Sequence, residues 1–68
     1  MEMPWDYEET ARWFLNDESL YNMGIGANSA DELWRLCSSI GMLKVGEVQL
    51  TKTNVAYAWD CIRGKEAK

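Results

Sequence analysis

The stretch SADELWRLCSSIG, residues 29–41, contains a helix written in three parts. Ser29 followed three residues later by Glu32 is a capping box, in which each side chain satisfies a backbone N–H that the first turn leaves without a partner. Leu33, Leu36, Cys37 and Ile40 recur at helical spacing and make one apolar stripe. Gly41 follows the last periodic residue, where a helix commonly ends. A short chain with this element at its centre should be all-α.

Working downstream, Thr51 can cap another helix, with Val55, Ala58, Trp59 and Ile62 as its core stripe and Gly64 as its end. Residues 65–68, KEAK, then form a polar tail. Between the two helices lies MLKVGEVQL, residues 42–50, β-branched and interrupted by Gly46. It reads as an irregular loop or a short hairpin, the loop preferred, with Leu43, Val45, Val48 and Leu50 turned inward.

Working upstream, Asp6 with Glu9 three residues on looks like a cap, with Trp5 as a hydrophobic staple just before it. Tyr7, Ala11, Phe14 and Leu15 fall on one face, and Glu8 can pair with Arg12 at i+4. The run NDES, residues 16–19, interrupts or restarts this helix, because Asn and Asp compete for backbone hydrogen bonds. GIGAN, residues 24–28, ends it. The expected architecture is a compact bundle of three helices, or four if residues 17–23 form a short one, in a single domain spanning 1–68.

Sixty-eight residues are near the lower limit for a self-sufficient core, which leaves little room for a large cofactor site, and none is expected. The start MEMP is acidic and has no apolar run, and no stretch approaches a membrane span. A cytoplasmic protein is therefore expected, with Cys37 and Cys61 as free thiols.

The charge is lopsided. Residues 1–34 hold eight acids against Arg12, a balance of −7, whereas residues 35–68 hold six bases against three acids, a balance of +3. Such asymmetry suits a basic partner; the competing explanation is that acids simply prefer helix N-termini.

Catalytic chemistry finds no foothold, and a non-enzymatic protein is expected. There is no histidine to serve as base, and Cys37 falls on a buried stripe. Two cysteines 24 residues apart do not make a metal site. The carboxylate pairs Glu8/Glu9 and Asp31/Glu32 are adjacent in sequence, so they do not face one another and are better explained as first-turn residues.

Recognition residues remain. On a helical wheel Trp13 lies at about 240° from Tyr7, well off the core stripe, and Tyr57 lies about 200° from Val55. Trp34 borders its stripe and Trp59 belongs to the core. The expected docking set is therefore Trp13 and Tyr57 with the acids Glu8, Glu9, Asp17, Glu18, Asp31 and Glu32, the acids steering and the indole anchoring. Acids spaced along helices can imitate a phosphate array, so the expected target is a basic, nucleic-acid-binding surface.

In size and charge the chain is similar to the small acidic inhibitors of bacteriophages and other mobile elements, including anti-CRISPR and anti-restriction proteins; the likeness is one of composition and implies an inhibitory role. Two other readings compete. The helix over 51–62 resembles a recognition helix, with Lys52 and Asn54 at its start, though the chain's acidity disfavours direct nucleic-acid contact. Alternatively, the chain is a structural subunit, for instance of a homodimer, with its surplus indole buried at an obligate interface.

Overall fold

The computed structural model describes residues 4–67, with side chains from Asp6 onward, so the expected staple at Trp5 lies outside the described side chains. The chain forms α1 (Pro4–Asn16), α2 (Glu18–Gly26), α3 (Ala30–Ser39), β1 (Lys44–Val45), β2 (Val48–Gln49) and α4 (Lys52–Glu66). It is an all-α bundle with one small hairpin.

The start and stop of α3 follow the local chemistry closely. Ser29 sits in an extended conformation and its Oγ accepts the Glu32 N–H at 3.2 Å. The Glu32 carboxylate reaches back to the Asn28 N–H, one residue beyond the usual box partner. At the other end Gly41 has φ +78; its N–H bonds to the Ser38 carbonyl while the Met42 N–H bonds to that of Cys37. These are the two bonds of a Schellman motif, and they require a left-handed residue at Gly41. Leu33 and Cys37 are fully buried. Ile40, expected in the stripe, is 62% exposed, because the helix ends at Ser39 and Ile40 is already its cap.

α4 is the central strut and packs against α1, α2 and α3. Thr51 caps it in a reciprocal box with Asn54, and Asn54 Nδ2 also donates to the Gln49 carbonyl at 3.1 Å, tying the hairpin to the helix. Val55, Ala58 and Ile62 are fully buried, and Trp59 is half-buried against the core with its indole N–H on the Ala27 carbonyl. The helix does not stop at Gly64 but runs on to Glu66. Gly64 keeps a negative φ, and α2 holds the last turn: the Tyr21 hydroxyl donates to Glu66, and Lys65 lies over the Tyr21 ring.

α1 begins at Pro4 rather than after Asp6, since the fixed φ of proline suits a first helical position. Asp6 is therefore inside the first turn, and its carbonyl accepts the hydroxyl of Thr10, a fully buried residue. Ala11 and Phe14 enter the core as expected, whereas Tyr7 stays exposed. The break at NDES takes one residue: Asp17 ends α1 with its N–H on the Trp13 carbonyl and caps α2 through Oδ1 on the Leu20 N–H.

The 42–50 segment forms a short antiparallel hairpin rather than a loop, pairing Lys44 with Gln49 and Val45 with Val48. Gly46 at φ +56 opens the two-residue turn, where hairpins favour a glycine. Val45, Val48 and Leu50 are buried. Leu43 is 66% exposed; it precedes the strand, and only its carbonyl is engaged, by the Leu50 N–H.

Candidate functional site

Glu9 and Trp13 of α1, with Asp17 in the junction that follows, form the candidate recognition face. Residues four apart stack on one side of a helix, and the contacts follow that spacing. The Trp13 indole N–H donates to Glu9 Oε2 at 3.2 Å, and the Trp13 carbonyl accepts the Asp17 N–H. Glu9 also holds Arg12 at 2.7 Å, so the expected Glu8–Arg12 pair is replaced by one at i+3. Trp13 leans on the hairpin turn at Gly46 yet keeps 40% of its surface in water.

Trp13 and Asp17 line two neighbouring hollows. Arg12 and Asn16 complete the first. The second is mostly apolar and is shared with Met23, Ile40 and Met42. These three aliphatic side chains are absent from the expected docking set. The only available signal was Gly41, which places Ile40 at a helix terminus, where stripe periodicity no longer governs burial.

The other expected site residues lie elsewhere. Tyr57 is exposed as its wheel position requires, and it stacks on Tyr7 with ring centroids 5.5 Å apart. Its phenol titrates above the ordinary range, chiefly because of the Cys61 thiol, with partial burial and the Glu8 carboxylate adding to the effect. Glu8 thus belongs with the tyrosine pair at the α1–α4 seam. On α1 it is about 140° from Trp13.

Asp31 and Glu32 form a third group. Asp31 pairs with Arg35 at 3.0 Å and with Lys52 at 3.6 Å, while Glu32 caps its own helix. They share a hollow with Arg35, Leu36 and Ser39 that runs along α3, and neither acid lines the two hollows beside Trp13. The acids of the two helical starts therefore do not converge around the indole. Glu18, in the first turn of α2 next to Asp17, joins the Trp13 group by position, and like Glu8 it enters no ion pair among the described residues.

The start of α4 is poorly disposed for reading bases. Asn54 is buried, and both ends of its amide are committed to the cap and the hairpin. Lys52 faces Asp31. Trp34 is half-buried against the core. Both cysteines are free, and burial pushes the Cys37 thiol up to about 11, which keeps it protonated and unreactive. Among the described residues no cluster of ligating side chains could hold a metal ion, and no helix is long and apolar enough to cross a membrane.

In comparisons with known proteins, the chain matches no family model, no curated protein and no solved structure.

Proposed function

We propose that this chain is a non-enzymatic interaction module that docks the Trp13 face, with its surrounding acids, on a basic protein partner. The observation that carries the proposal is the indole of Trp13, bonded to Glu9 and set against Gly46 and still substantially exposed. Partly exposed indoles make good anchors, and the net charge of −4 supplies steering toward a Lys- and Arg-rich surface. Such a surface is typical of proteins that bind nucleic acid, so the role would be occlusion, as in phage or mobile-element inhibitors of the anti-CRISPR or anti-restriction type. The setting proposed is the cytoplasm, with both thiols free.

The contact set proposed is Glu9, Trp13, Asp17 and Glu18, which lie together on or beside the Trp13 face. Glu8 and Tyr57 lie on a second face, and Asp31 and Glu32 serve mainly α3 and its neighbours. Direct DNA recognition by α4 is the weaker alternative, because Asn54 is sealed in its cap and Lys52 is paired.

The test uses Glu18→Lys and Trp13→Ser, since Asp17 is needed to cap α2 and its loss would confuse folding with binding. Partners are captured from cells producing the chain, identified by mass spectrometry and titrated at several salt concentrations. The expected result is a basic partner whose affinity falls with salt and drops roughly tenfold with either variant, at unchanged helicity. A partner retained equally by both variants, with no salt dependence, would overturn the proposal.

A further inference from the structure

The second hollow beside Trp13 goes beyond an acidic patch. Its apolar lining comes from Trp13, Leu20, Met23, Ile40, Met42 and Val45, drawn from both N-terminal helices, the end of α3 and the hairpin. Leu20 and Val45 are buried and belong to the core beneath it, whereas Ile40 is mostly in water. The hollow is small, but its lining is mostly apolar, and two methionines make that lining adaptable to an inserted side chain.

The rim indicates the occupant's charge. Asp17 borders the groove, Glu18 follows it, and Glu9 sits over the indole, against Lys44 on the hairpin side. Arg12, the other nearby cation, pairs with Glu9, so the charge left unmatched at the rim is that of Asp17 and the neighbouring Glu18 against Lys44. A second copy is a poor occupant: an isologous dimer would press this acidic corner against itself, between molecules each carrying −4. The hairpin also limits the occupant's shape. β1 has only two residues, too short an edge for strand addition to supply a useful ladder.

We infer that this groove receives an amphipathic helix of a basic protein partner, its apolar face seated on Trp13, Met23, Ile40 and Met42 and its Lys or Arg residues against Asp17 and Glu18. The inference rests on the basic-partner reading and specifies what that partner presents. Helix-in-groove recognition needs apolar side chains at helical spacing, and a groove fed by several elements can take them.

The probes are a Leu/Lys amphipathic peptide and a Leu/Glu peptide with the same apolar face, titrated into the isotope-labelled full chain by NMR. The Leu/Lys peptide is expected to shift the Trp13 indole N–H and the amides of Met23, Ile40 and Met42. Ile40→Asn, at an exposed cap position and with the amide spectrum away from the groove checked for an unchanged fold, is expected to weaken it at least roughly tenfold, and Glu18→Lys to weaken it as well. Shifts confined to the acidic corner, with the groove amides silent, would remove the groove and leave electrostatic docking standing. Equal binding of both peptides would overturn the charge reading itself. No binding of either, or a dimer that Ile40→Asn dissolves, would likewise overturn the inference.

Discussion

The indole of Trp13 lies directly against Gly46: a Cβ at that glycine would stand 2.9 Å from Nε1 and 3.3 Å from the adjoining ring carbons. This approach seats the hairpin turn against the α1 indole, alongside the buried Val45 and Val48 that anchor the hairpin in the core. It needs a residue without a side chain in a left-handed conformation, and Gly46 meets both conditions.

Gly46→Ala therefore meets backbone strain and an aromatic ring together. A loss of about 1–3 kcal/mol is expected in urea unfolding, accompanied by a displaced Trp13 indole N–H resonance. Trp13→Ala in the same background should recover part of the loss. An unchanged midpoint with an unmoved resonance would show that the contact does not constrain the turn.

Gly24 on α2 faces the end of Ile62, and an added Cβ would overlap Ile62 Cδ1. Gly24→Ala gains about 1 kcal/mol of helix propensity but overpacks the core by about 1–3 kcal/mol, so a net loss is expected. Ile62→Val removes the obstructing carbon. The double variant should then be about 1 kcal/mol more stable than the two single changes predict by addition. Simple additivity would place Ile62 away from Gly24.

Arg63 and Asp31 offer a contrast in salt dependence. Arg63 lies over the Trp59 ring and donates to the carbonyls of Ile25 and Ala27, closing the end of α2 from α4. Arg63→Met should cost about 1–3 kcal/mol at any ionic strength, because its acceptors are neutral carbonyls. Asp31→Ala breaks two exposed ion pairs and should cost at most about 1 kcal/mol. That smaller loss should vanish at about 1 M salt, where the Debye length is ~3 Å. Thermal unfolding of both variants at low and high salt decides it.

Cys37 should become a liability at high pH. Its thiol titrates near 9.0 when unfolded and at about 11 in the fold because of burial, so the folded state favours the protonated form. The resulting stability is complete below about pH 9 and is lost as pH rises through 11. Tyr21 and Tyr57 are also raised, Tyr21 chiefly by its hydrogen bond to Glu66. Comparison with Cys37→Ala isolates the thiol: the variant's stability should fall less steeply over this window. An equal slope would show that Cys37 is not its source.

The candidate site was only partly legible in the sequence. Helical phase alone placed Trp13 and Tyr57 off their stripes, and both are exposed. Phase did not reveal that Glu9 would bond the indole, that Tyr7 would leave the core to stack on Tyr57, or that Asp31 would be matched by Lys52. Each of those contacts depends on a rotamer choice or on a residue distant in the chain.

Ser29, Thr51, Asp17 and Gly41 set their helix boundaries from the sequence itself, because a cap is closed by hydrogen bonds spanning at most five residues and needs no distant partner. Gly64 and Ile40 show where that authority ends. Whether α4 continues through a glycine depends on Tyr21 and Arg63 bridging α2 and α4, and whether Ile40 is covered depends on what stands opposite it. Only the tertiary structure decided those outcomes, as it decided that the acids divide into three groups, since burial and charge pairing are properties of surfaces that meet across the fold.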